Sequence, residues 1–360
     1  MNAKQARRSA QHWIDANQQH WPGLVAAHFV GGVTTMADDE YFPPTKDLDL
    51  HLIFDESSPM LQAKGPFMNI LEERYEGVAI EAGVRSMAEY ESVEKVLGNP
   101  EIAHHLTLDS IVDDPSNYLT TLQIGVRAGY RDPYWIAERI AYERQALDAA
   151  FELRAPAGAM LGPMGELSIL GYTTTFAKAV LDVGALHAPR IGSRLGVNLG
   201  AKLESLGRLD LFDETLRFLG IEDVSITTVA WWLERGSALF DEAVAARKTP
   251  HPFQHKLHPH LRPHFVDSCQ RMLDEGYHRE AMWWIIPFIE ATTDVLLVDG
   301  PADRKQEIAD TQSEFLQLLN FADPAARDEK YAQASACYKR YFELAGELAE
   351  HETRTLIAAR

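Results

Sequence analysis

Cysteine is nearly absent from this chain: Cys269 and Cys337 are the whole complement among 360 residues. Two thiols so far apart support neither a disulfide framework nor a zinc site, and they fit a reducing cytosol. Long apolar runs are missing too. Trp283-Trp-Ile-Ile-Pro-Phe-Ile289 falls well short of the ~20 residues that span a bilayer. The basic start Met1-Asn-Ala-Lys-Gln-Ala-Arg-Arg-Ser9 leads into polar residues rather than the apolar core of a signal peptide. A cytoplasmic protein without membrane association is expected. Positive charge is the third shortage, since 34 Lys and Arg face 53 Asp and Glu for a net −19. Grip on a nucleic-acid backbone depends on basic residues, so general nucleic-acid binding is not expected. An acidic cleft would instead draw a cationic small molecule, although the same charge also serves solubility. Internal repeats and low-complexity segments are absent.

What is present is an ordinary globular balance, 46% apolar and 24% charged. The length favours two domains over a single core. Residues 4–20 read as a helix. Strands follow near 24–30, 47–54 and 77–85, with a helix from about Pro66 carrying Glu72 and Glu73 between the last two. Glu89 to Glu94 read as a second, exposed helix. Leu106, Leu108 and Ile111 mark a short strand that closes in Asp113-Asp-Pro-Ser-Asn117, where turn chemistry outweighs a catalytic role for Asp109, Asp113 or Asp114. Beyond about residue 130 the pattern turns helical. Trp135 to Leu153 comes first, then a Gly/Pro-rich break over 155–165, then helices near 167–187, 193–206, 210–219, 225–247, 262–276, 278–296, 303–320 and 324–357. The expected architecture is α+β: a mixed-sheet domain over 1–130 followed by a larger α-helical domain over 131–360.

The most informative stretch is Lys46-Asp-Leu-Asp-Leu-His-Leu-Ile-Phe54. Residues two apart on a strand share a face, so Asp47 and Asp49 project together. Converging carboxylates repel unless a cation lies between them, and hard oxygen ligands suit Mg²⁺, with substrate phosphates filling its shell. Upstream, the apolar strand Val25-Ala-Ala-His-Phe-Val30 ends in Gly31-Gly32, where backbone N–H groups can approach phosphate without a Cβ in the way. Each motif alone also fits a solvent-facing strand or a plain turn; their order is more specific than either. Glu81 in Val78-Ala-Ile-Glu-Ala82 sits within a second period-two strand, where a carboxylate needs a cation or donor.

Taken together, Val30-Gly31-Gly32 and, after a spacer of fourteen residues, Asp47-Leu48-Asp49-Leu50 resemble the nucleotidyltransferase superfamily of the polymerase β-like fold, and the small-molecule, aminoglycoside-type members in particular. Lys46 stands where that pattern usually has an apolar residue. The resemblance implies Mg²⁺ (or Mn²⁺) held by Asp47 and Asp49, with Glu81 as the third ligand or as the base. It also implies phosphate cradled by Gly31 and Gly32, with Thr34 or Thr35 adding a hydroxyl and Arg85 offsetting charge. ATP or another NTP would be the co-substrate, and a small-molecule hydroxyl in a cleft against the helical domain would be the acceptor. Two other classes fit less well. One is a non-catalytic nucleotide-binding regulator, which the intact acids disfavour. The other is a toxin–antitoxin type nucleotidyltransferase acting on protein or RNA, which the large helical domain disfavours.

Other candidates read as structural. His251, His255, His258, His260 and His264 crowd a proline-broken segment with no zinc spacing, which fits an interdomain or surface loop. His278, Arg279 and Glu280 open a helix whose Trp283 and Trp284, like Trp231 and Trp232, fit core packing better than a substrate wall.

Overall fold

The structure, a computed structural model, describes residues 1–62, 70–189, 192–249 and 256–358. The chain divides into two compact units. One comprises Met1–Tyr142, Asp182–Arg190 and Ala345–Arg360, and the other Glu143–Leu181 and Ile191–Leu344.

The first unit is built on a five-stranded mixed sheet. Its strands are β1 (Leu24–Phe29), β2 (Asp47–Phe54), β3 (Ile70–Tyr75), β4 (Val78–Ser86) and β5 (Ile111–Asp113), in the order β3-β4-β2-β1-β5. β2 and β4 run parallel, and the other pairs are antiparallel. Alternation sorts β2 cleanly. Leu48, Leu50, Leu52 and Phe54 enter a core with Val78, Ile80, Ala82 and Val84 of β4. That core is closed by Ala6, Ala10, Trp13 and Ile14 of α1 (Ala3–Asn17). Asn2 and Gln5 cap α1 reciprocally, each side chain accepting from the other's backbone N–H. The opposite face carries Ala26 and Ile53 into a second core with α2 (Val93–Leu97), α3 (Pro100–Leu106), α4 (Tyr118–Gly129) and the start of α5 (Pro133–Glu152).

Three local expectations are corrected. Glu72 and Glu73 lie on β3, not on a helix; Pro66 is outside the described residues. β3 and β4 form a hairpin around Glu76-Gly77, both with positive φ (47° and 84°), the backbone of a tight type I′ turn. The segment 89–94 is not one exposed helix, because a single 3₁₀ turn, Met87–Tyr90, buries Tyr90 completely before α2 begins. The strand expected around Leu106 is instead β5, preceded by α3; Asn99 and Pro100 start that helix as N-cap and first residue.

The second unit is helical. It holds the remainder of α5 and most of α6 (Arg154–Gly184), then α7 (Leu195–Ser205), α8 (Leu209–Leu219), α9 (Ile226–Ala246), α10 (Ser268–Asp274), α11 (His278–Asp299) and α12 (Lys305–Leu318), with most of α13 (Pro324–Ala358). The Gly/Pro-rich segment is largely helical itself, but it does break the path: α6 is two helices that meet at a kink at Gly162-Pro163, where Gly162 leaves helical geometry with φ 63°. α11 is the core element. By length and composition it is the one helix among the described residues apolar enough to cross a membrane, yet 78% of its most apolar window is buried within the fold. Cys269 and Cys337 are free and buried.

Candidate metal centre

The acids meet because of register. Asp49 on β2 lies directly opposite Glu81 on β4, and Asp47 shares their face two residues earlier. One carboxylate oxygen from each of Asp47, Asp49 and Glu81 lies within 4.8 Å of the others, and all three side chains are half-buried. Three anions at that spacing repel one another, and a hard divalent cation relieves the repulsion while satisfying their lone pairs. The donor set, oxygen only and open to further ligands, suits Mg²⁺ or Mn²⁺.

The glycine turn is fitted to this strand. Gly31–Thr35 forms a 3₁₀ turn, tied to β2 by Val30 N–H donating to the Asp49 carbonyl at 3.0 Å. Gly31 has φ 63°, and a Cβ placed there would run into the Asp49 carboxylate, with Cγ only 2.9 Å away. Both backbone conformation and space therefore demand glycine. At Gly32 an added Cβ would lie 2.5 Å from Lys46 Nζ, so the lysine that departs from the family pattern brings its ammonium to the turn.

Thr34 and Thr35 hydrogen-bond back to their own turn: Thr34 Oγ1 donates to the Gly31 carbonyl at 2.8 Å, and the exposed Thr35 Oγ1 to the Gly32 carbonyl at 3.5 Å. Buried His105 accepts from Gly31 N–H at 3.4 Å and lies 3.4 Å from Thr34 Oγ1. Sequence reasoning missed His105 and also Glu72, which β3 pairing sets directly opposite Glu81 on the same face. Arg85, two rungs beyond Glu81 in the same alternation, reaches Glu89 and Glu101 at 3.4 and 3.0 Å rather than the acids.

The remaining candidates have other surroundings. Asp109 pairs with Arg127 at 3.0 Å. Asp114 caps α4 by accepting from the N–H groups of Leu119 and Thr120. Burial raises the pKa of Asp113, helped by the charges of Asp15 and Asp114. His251 and His255 lie outside the described residues. His258 and His260 stack on each other at 5.1 Å, and His264 packs edge-on to Trp284. Trp232 and Trp283 are core residues, Glu280 is buried at the start of α11, and Trp231 is half exposed.

In comparisons with family models, curated proteins and solved structures, none matches this chain.

Proposed function

We propose that the chain is a Mg²⁺-dependent nucleotidyltransferase that moves a nucleoside monophosphate, AMP from ATP in the first instance, onto a hydroxyl of a small molecule. The observation that carries this is the convergence of Asp47, Asp49 and Glu81 beside a glycine turn pressed against Asp49. Asp47 and Asp49 would hold the ion, with Glu81 completing the set. A bound divalent cation supplies charge neutralisation for a triphosphate and its departing pyrophosphate. The chain's own groups do the rest. The backbone of the Gly31-Gly32 turn would face phosphate, with the Lys46 ammonium beside it adding positive charge. The acceptor oxygen bonds to the α-phosphorus as the bond from that phosphorus to pyrophosphate breaks. The hydroxyl proton passes to a carboxylate, for which Glu81 is the candidate. The net charge of −19 favours a cationic acceptor.

The test is pyrophosphate release with each NTP, Mg²⁺ and a panel of amino-sugars and other hydroxyl compounds. Asp47→Asn/Asp49→Asn is the control. Acceptor-dependent release in the native chain that vanishes in the double variant is expected; release undiminished by the double substitution defeats the assignment. Glu81→Gln separates the two roles of that residue, since a lost ligand weakens Mn²⁺ binding whereas a lost base slows turnover at unchanged Mn²⁺ affinity.

A further inference from the structure

Behind the acids, on the same face of the sheet, lies a buried polar group of a different kind. β2 continues from Asp49 to His51, and antiparallel pairing places His28 of β1 directly opposite His51. The two rings meet edge to face at 5.1 Å. The Tyr90 hydroxyl lies 2.9 Å from His28 Nε2 and 2.9 Å from His51 Nδ1. Arg85 Nη2 lies 3.3 Å from His51 Nε2, and His28 Nδ1 lies 3.1 Å from the Phe29 carbonyl. His28 and Tyr90 are fully buried and His51 nearly so.

The donor inventory leaves one arrangement. A guanidinium only donates, so His51 Nε2 is the acceptor and His51 carries its proton on Nδ1. That N–H donates to the Tyr90 oxygen. Tyr90 has a single proton, which goes to His28 Nε2. His28 is then protonated on Nδ1, the atom that faces a carbonyl able only to accept. Both ends of the chain demand the same tautomers. A second proton on His51 would set an N–H against the Arg85 N–H, and one on His28 would set an N–H against the Tyr90 O–H. Burial acts in the same direction at His28, lowering its pKa to about 4.

We propose that Arg85, His51, Tyr90 and His28 form a one-way chain of hydrogen bonds that fixes β1 against β2 and so seats the Gly31 turn on Asp49. The chain ends on the carbonyl of Phe29, whose own N–H donates to Ser110 at 2.7 Å; the next residue, Val30, donates to the Asp49 carbonyl. The four side chains are positioning residues, acting on the acid centre through the strand ends. Their bearing on activity rests on the metal-centre reading given above.

Two measurements test the chain without any metal ion. Imidazole ¹⁵N shifts of the native chain at neutral pH should show His28 and His51 each protonated at Nδ1 and bare at Nε2; an Nε2–H tautomer or an imidazolium at either residue overturns the proposal. In Tyr90→Phe, which keeps the ring and removes the bridge, amide exchange at Phe29 and Val30 should accelerate by about tenfold or more, with α8 unchanged. Unchanged exchange at those two amides overturns it. A Mn²⁺ titration of the same pair of proteins links the chain to the site, and Tyr90→Phe should bind the ion several-fold more weakly. Native protein that binds no Mn²⁺ defeats the metal-centre reading, while the tautomers and exchange rates still decide this one.

Discussion

The two units bury ionisable groups in opposite ways. In the sheet unit, His28 and His51 are buried bases, kept neutral and joined into a directed chain. In the helical unit, Glu290 and Asp294 are buried acids one turn apart on α11. Burial, reinforced by the neighbouring Asp294 and opposed by a hydrogen bond from Ser168, pushes Glu290 up to about 8. Burial likewise raises Asp294 to about 6, against a hydrogen bond from Gln312. Glu290 Oε2 finds no hydrogen-bond donor among the described residues, as suits a carboxyl that keeps its proton. One physical cause, loss of water around a charge, thus gives the units opposite responses to pH.

The largest consequence lies in the helical unit. Unfolded, Glu290 releases its proton near 4.5, whereas the native chain holds it to about 8. Stability is therefore lost as pH rises through that window, by about 5 kcal/mol at about 1.4 kcal/mol per unit. Glu290→Gln should abolish most of this loss. Intrinsic-rate-corrected hydrogen exchange of α11 at pH 5 and pH 8 measures it, and equal protection at both pH values in the native chain contradicts it.

The sheet unit should respond with the other sign. Unfolded His28 takes up a proton near 6.5 and native His28 only at about 4. Stability is lost as pH falls between those values, by about 3 kcal/mol. Exchange across β1 and β2 should accelerate from pH 7 to pH 4 over and above the intrinsic trend. Strands that stay equally protected would remove the contrast between the units.

Two substitutions sharpen the comparison by touching the sheet unit alone. Gly31→Ala forces an alanine into positive φ against the Asp49 carboxylate and should cost about 1–3 kcal/mol locally. Mn²⁺ binding should weaken with it, while α11 protection stays as it was; native-like Mn²⁺ affinity would show that the turn does not need glycine. Lys46→Met should be the mildest, changing stability by less than about 1 kcal/mol because the side chain is only half-buried. Its effect belongs in triphosphate affinity, a several-fold weakening by equilibrium binding, and no change there would remove Lys46 from the site.

Legibility in the sequence followed the range of the interactions. Asp47, Asp49 and Glu81 were readable because period-two alternation states which way a side chain points, and register brought the strands together. The helices of the second unit were readable from their long apolar periodicity, to within a few residues for most. β3 was not, since its turn residues, Glu76 and Gly77, lack the Asn-Gly or Asp-Gly signature of a tight hairpin. The histidine chain was hidden for a different reason. Tyr90 joins residues 62 and 39 positions away, and His28 and His51 each look like an interruption in an apolar strand. Lys46 read as a departure from a pattern, and only the geometry shows its ammonium at Gly32.

The proposed role of Asp47, Asp49 and Glu81 is to hold a divalent cation that serves a triphosphate. Mn²⁺ binding, followed by its paramagnetic signal with and without a non-hydrolysable ATP analogue, tests this most directly. The native chain should bind the ion, more tightly with the analogue, and Asp47→Asn/Asp49→Asn should lose it at unchanged protection of α11. Mn²⁺ affinity that survives the double substitution, or that ignores the nucleotide, contradicts it.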